Sequence, residues 1–132
     1  MTLHSVTVDQ PIAASVERIW ERISTPEGIA AWWRPGNIAP VLGHEFLMQM
    51  GKWGEVPCRV IEVEPLRRLA YTFGDFELHW TILPAETGNI LRLEHRGFDL
   101  ENPQHRFSFD NMGPGWRDVV LPRLAEGLLQ AA

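Results

Sequence analysis

Cysteine is nearly missing from this 132-residue sequence: Cys58 stands alone, so no intrachain disulfide can form. Its place inside a strand-like stretch marks it as a buried, inert thiol rather than a reactive one. Positive charge is also short. Twelve Lys and Arg face 17 Asp and Glu, a net charge of −5, which excludes a nucleic-acid partner and an anionic membrane surface as the thing this chain binds. Nowhere do 18 apolar residues follow one another, and the opening Met1-Thr2-Leu3-His4-Ser5-Val6 has neither the basic flank nor the apolar run of a signal peptide. A cytoplasmic protein is expected. Catalytic and metal motifs are missing too. His44, His79, His95 and His105 are scattered rather than clustered, so no metal or other cofactor is expected. No G-x-S-x-G occurs, and Gly51, Gly54 and Gly97 suit turns or bulges rather than a phosphate loop.

What the chain has instead is rings. Six Trp and six Phe stand against one Tyr, a skew toward large apolar side chains that either fill a core or line a pocket. Hydrophobic residues make up 45% and charged residues 22%, ordinary for a globular domain, and the length suffices for one core without disulfides. No repeat, low-complexity tract or linker interrupts the chain, so residues 1–132 are expected to form a single domain.

The order of elements follows from the apolar spacing. Val6 and Val8 alternate with polar neighbours and predict a strand at 3–10. Ile12, Val16, Ile19, Trp20 and Ile23 then recur at helical spacing, giving an amphipathic helix at 14–24. Thr25-Pro26 restarts a short helix that Arg34-Pro35-Gly36 ends. From residue 43 the period becomes two, with strands at 44–50, 55–64, 68–73, 76–83 and from Ile90 to Arg96, joined by short turns in an antiparallel meander. Arg59 and Glu62 fall on opposite faces of a regular strand, so either one charge points inward or a bulge turns both out. Residues 99–113 carry little pattern and read as a long loop. Trp116, Val120, Leu124 and Leu128, four apart, predict a closing helix at 114–130, with Pro122 expected to kink it.

The stretch Ile12 to Trp33, the strand ending Val60-Ile61-Glu62-Val63-Glu64-Pro65, the run Leu93-Glu94-His95-Arg96-Gly97-Phe98 and the closing Gly115-Trp116 with Leu124 together resemble one family. It is the family similar to the C-terminal domain of the activator of Hsp90 ATPase, within the START and Bet v 1-like helix-grip superfamily. The resemblance implies an α+β helix-grip fold: a curved antiparallel sheet wrapped around a long C-terminal helix, with two short helices after the first strand. It also implies an apolar small molecule, such as a lipid, polyketide or aromatic compound, held without catalysis between sheet and helix. Two alternatives come with it: a co-chaperone-like domain with a chaperone partner, and a cyclase or hydrolase acting on an apolar substrate. Homodimer formation is left open.

Inward-facing positions then define a candidate cavity lining. Met48, Met50, Tyr71, Phe73, Trp80 and Leu93 come from the strands, and Trp116 and Val120 from the closing helix. Trp32 and Trp33 are adjacent and point about 100° apart if helical, so only one of them is expected at the cavity mouth. His95 shares the alternation of Leu91 and Leu93 and should point inward, as a hydrogen-bonded core residue or as a polar anchor for a ligand. An enzyme would need His95, Tyr71 and Glu62 to converge.

Overall fold

A computed structural model describes residues 3–130. Alternating apolar residues set the strands: β1 (His4–Ile12), β2 (Glu45–Gln49), β3 (Glu55–Glu64), β4 (Arg68–Phe73), β5 (Phe76–Pro84) and β6 (Asn89–Phe98). They form one antiparallel sheet in the order β1-β6-β5-β4-β3-β2. The meander runs from β2 to β6, and β1 closes it by pairing with β6, Val8 opposite Leu93 and Pro11 opposite Ile90. Pro11 is tolerated because β1 is an edge strand. In β3 the register shifts between Val60 and Glu62, so the bulge alternative holds. Glu62 turns outward to Arg68 at 2.7 Å, and Arg59 is exposed.

Two short helices follow β1. Ser15 Oγ accepts the Arg18 N–H at 3.3 Å and so caps α1 (Val16–Ser24), which buries Ile19 and Ile23. Each such buried aliphatic side chain stabilises by roughly 1.5–3 kcal/mol. Thr25 Oγ1 accepts from Gly28 N–H at 3.0 Å and Pro26 takes the first position of α2 (Pro26–Ala30), the restart expected from the sequence. Gly28 has no side chain because a Cβ there would run into the Glu21 carbonyl of α1.

The C-terminal helix is longer than its sequence pattern. Residues 99–113 are not a loop throughout: helix α3 (Pro103–Gly115) occupies most of them. Asn102 Oδ1 accepts from the N–H groups of Gln104 and His105, and Pro103 fills the first turn. The stretch escaped the periodicity test because its apolar residues do not share one stripe. Phe109 packs edge-on against Phe98 at 5.3 Å, whereas Phe107 is 58% exposed. His105 anchors the new helix to the β4–β5 turn. Its Nδ1 accepts the Asp99 N–H at 3.1 Å, and its Nε2 donates to Asp75 at 3.2 Å.

A wide π-turn (Trp116–Val120) continues α3 into α4 (Leu121–Gln130). There the Leu121 N–H reaches back five residues to the Trp116 carbonyl. The disturbance expected at Pro122 is therefore met by loosening the backbone ladder one turn earlier. Leu121, Leu124 and Leu128 bury themselves against the rest of the core, and Arg18 Nη2 donates to the Leu128 carbonyl at 2.7 Å. That bond satisfies a helix-end carbonyl from a different helix. The architecture is the helix-grip fold. Its concave face holds the apolar core. Its other face carries a polar ladder in which Asp9 pairs with Arg92, Glu94 with Arg96, and Arg68 with Glu62, Thr81 and His79.

Candidate functional site

The deep half of the space between sheet and helix is filled. Trp32, Met48, Tyr71, Trp80, Leu93 and His95 are all buried, none more than 3% exposed. Their rings interlock edge to face, Trp80 lying 5.7 Å from both Trp32 and Trp116. The indole N–H groups of Trp32, Trp80 and Trp116 each find an internal acceptor. Trp80 Nε1 donates to Tyr71 Oη at 3.1 Å, Trp116 Nε1 to His95 Nδ1 at 3.1 Å, and Trp32 Nε1 to the Arg22 carbonyl at 2.8 Å. Burial pushes the Tyr71 hydroxyl far up and the Cys58 thiol up to about 12, so neither is available as an acid or a nucleophile near neutral pH.

His95 belongs to this interior. Accepting from Trp116 fixes its proton on Nε2, and Nε2 has no hydrogen-bond partner in the structure. The ring is surrounded by Phe73, Phe76 and Phe98, with centroids 6.3, 5.1 and 4.6 Å away. Burial pushes its pKa down to about 3, so the imidazole is neutral. The trio an enzyme would need is not assembled. His95 and Tyr71 are spent on tryptophan N–H groups, and Glu62 faces outward to Arg68.

Open apolar space lies at the mouth instead. A cleft of about 260 Å³ runs between α3 and the β2–β3 hairpin. Met50, Trp53 and Val56 form one wall, Phe107, Ser108 and Met112 the other, and Phe73 lies between them. Ser108 supplies the one hydroxyl. Met112 also borders an annex of about 90 Å³ that reaches Trp33, Gly115, Trp116 and Val120. A larger depression of about 610 Å³ lies along β2, lined by Asn37, Glu45, Leu47 and Gln49 among others, but it is a shallow, partly polar groove that encloses little.

Of the residues picked from the sequence, Met50 and Phe73 line the cleft, while Trp33, Trp116 and Val120 line its annex. Trp33 is thus the member of the tryptophan pair at the mouth, its ring tilted against that of Trp116 with centroids 4.9 Å apart. Trp53, Val56, Phe107, Ser108 and Met112 were not foreseen. The last three sit on the stretch that read as loop. Trp53 sits in a single 3₁₀ turn, Gly51–Trp53, bracketed by Gly51 and Gly54 at φ +62° and +80°, where no strand periodicity extends. The two glycines were the available signal, since they mark a turn that carries a tryptophan into solvent.

Residues 13–128 match the family model described as activator of Hsp90 ATPase homolog 1-like protein. Among solved structures, protein MLL2253 of Mesorhizobium loti is 28% identical with a TM-score of 0.80, over 96% of this chain and 95% of that one. Protein BH1534 of Bacillus halodurans is 26% identical with a TM-score of 0.82, over 96% and 98%. The Aha1 dimer of Colwellia psychrerythraea shares the fold at 18% identity and a TM-score of 0.80, over 95% and 96%. Among curated proteins none matches.

Proposed function

This chain belongs to the activator of Hsp90 ATPase homolog 1-like family, and from that premise we propose that it binds a small apolar, ring-bearing molecule in the cleft between α3 and the β2–β3 hairpin, without catalysing its conversion. The observation that carries the reading is the pair of rings at the cleft's lips. Trp53 is 65% and Phe107 58% exposed, on opposite walls of a space otherwise lined by Met50, Met112, Val56 and Phe73. Large apolar side chains held in water around a concavity gain from being covered. Two methionines flank the space, and their flexible thioethers adapt to ring faces and edges.

Size narrows the ligand. At about 260 Å³ the cleft falls just below the ~300–1,000 Å³ of sites for drug-sized ligands. A two- or three-ring body suits it better than a sterol or a long acyl chain. Micromolar affinity requires about 8 kcal/mol. At ~25 cal/mol per Å² that corresponds to roughly 300 Å² of apolar surface removed from water, before the losses of association. Two fused rings and the two lips together offer surface of that order.

N-phenyl-1-naphthylamine, an uncharged fluorescent probe, tests the reading. Saturable binding with Kd in the range of about 1–30 µM is expected, together with quenching of tryptophan emission and a raised Tm. Ser108→Phe places a ring in the cleft and should weaken the probe at least tenfold. The urea midpoint should hardly move, because the ring enters existing space. No saturable binding to the wild type at about 100 µM probe, an affinity too weak for this apolar area, would overturn the proposal.

A further inference from the structure

Two cations, Arg34 and Lys52, stand beside the apolar lining of the cleft. Among the described residues Arg22, Arg67, Arg68, Arg92, Arg96 and Arg117 each have a carboxylate within 4.0 Å. Arg34 and Lys52 have none among the described ion pairs, and neither have Arg18, Arg59, Arg106 and Arg123; what sets the first two apart is their place next to the cleft residues Trp33, Met50 and Trp53. Neither lines the cleft or its annex, but each is next in the chain to a residue that does. Arg34 follows Trp33, which lines the annex, and its guanidinium lies over the backbone of Gly51. A Cβ at Gly51 would come 3.3 Å from Arg34 Nη1, and glycine leaves that place to the arginine. Lys52 is the next residue, its Nζ 5.2 Å from the centroid of the Trp53 ring. Met50 and Trp53, which flank this pair of cations, are themselves cleft-lining. The nearest acid along the chain, Glu55, is already bonded by Gln49 Nε2 at 2.8 Å. On the facing wall Arg106 and Asp110 flank the Phe107–Ser108 pair, one charge of each sign.

Building on the binding reading above, we infer that the ligand is an amphipathic acid: a two- or three-ring apolar body whose single anionic group, a carboxylate or one of similar shape, lies at the rim against Arg34 and Lys52. The body takes the Met50–Phe73–Met112 interior, where a charge would lose its water without compensation. The acid stays at the mouth, half-hydrated, where a guanidinium can meet it with two parallel N–H bonds and an ammonium adds a point charge. A neutral hydrocarbon would leave both cations unused. A cationic ligand would be repelled at the entrance, an element of selectivity that the apolar lining cannot supply.

Two probes with the same ring system separate this inference from the reading it rests on. N-phenyl-1-naphthylamine is uncharged, and 1-anilinonaphthalene-8-sulfonate differs from it by one sulfonate. At about 20 mM salt the sulfonate should bind roughly three- to tenfold more tightly, and the preference should shrink toward parity at about 0.5 M salt, as rim electrostatics are screened. In Arg34→Gln/Lys52→Gln the preference should vanish while the neutral probe keeps its affinity, since neither substitution touches the apolar interior. Ser108→Phe should weaken both probes together. Equal affinity for the two probes in the wild type would overturn the inference and leave the binding reading standing. A sulfonate preference that survives in the double variant would overturn it in the same way, as would sulfonate binding that survives Ser108→Phe and so lies elsewhere. If neither probe binds, both proposals fall.

Discussion

Mild acid should weaken this fold through His95, and the slope can be worked out in advance. The imidazole is 0% exposed and neutral, its Nδ1 held by Trp116 and its pKa pushed by burial from 6.5 down to about 3. The unfolded chain takes up this proton near pH 6.5, whereas the folded chain resists it until near pH 3. Protons therefore favour the unfolded state between those values. The contribution is fully present above pH 6.5 and is lost as the pH falls toward 3. Within that window each pH unit removes about 1.4 kcal/mol. Between pH 7 and pH 5 the loss is about 2 kcal/mol, because the first half-unit lies above the unfolded pKa. Urea unfolding of the wild type and His95→Leu at pH 7, 6 and 5 isolates the effect. The substitution strands the Trp116 N–H and should cost about 1–3 kcal/mol at neutral pH. That offset does not depend on pH, and titrations elsewhere occur in both proteins and cancel in the difference. Asp9, whose carboxyl Arg92 holds below its usual range, loses its contribution only under more acid conditions than these. The wild type's advantage over the variant should thus shrink by about 2 kcal/mol from pH 7 to pH 5. A difference that stays constant across the series would show that His95 exchanges protons with solvent in the folded state, and the interior around it would not be sealed.

Trp116→Ala should cost about 3–5 kcal/mol in urea unfolding, since the ring is buried against Trp33, Trp80 and His95; a loss under about 1 kcal/mol would put it at the surface. Cys58, buried and with its thiol pushed up to about 12, should react with a thiol reagent only as fast as the protein opens. Burst labelling at neutral pH without denaturant would contradict that placement.

The strands were legible because the large apolar residues of each line one face, even where β4 and β5 also bury Ala70 and His79 on the other. Phe46 and Met48, Leu69, Tyr71 and Phe73, and Leu91, Leu93 and His95 alternate in sequence, and each is buried in the structure. The two short helices were legible for a local reason, Ser15 and Thr25 acting as caps and Pro26 as an initiator. Helix α3 was not, because its stability does not come from an apolar stripe. Asn102, Pro103 and the His105 contacts to Asp99 and Asp75 hold its start, and a single cap followed by Phe-Ser-Phe-Asp-Asn-Met-Gly-Pro looks like irregular chain. The candidate site inherits that difficulty. Its walls come from α3 and from the turn between two positive-φ glycines, the two segments where burial leaves the weakest periodic trace. Residue type misled in the other direction as well. Tyr71, Trp80 and His95 look like pocket chemistry, but alternation alone does not reveal that Trp80 bonds Tyr71 or that Trp116 bonds His95.

The six tryptophans divide the molecule by a simple physical criterion. Trp32, Trp80 and Trp116 each give their indole N–H to an internal acceptor, and each is at most 3% exposed. Trp20, Trp33 and Trp53 have no such bond among the described hydrogen bonds, and all three reach solvent. A buried indole without an acceptor costs about 1–3 kcal/mol, so the acceptor decides which rings can join the core. Trp20 lies on α1, whereas Trp33 and Trp53 border the annex and the cleft. The core is thus closed by rings whose hydrogen bonds are already made, and the mouth is edged by rings whose N–H groups are still free to be covered or bonded. A ligand that covers Trp53 while leaving its own polar group near the rim completes the same pattern from outside. That is why an apolar body with one anionic end fits this arrangement better than a uniformly apolar one.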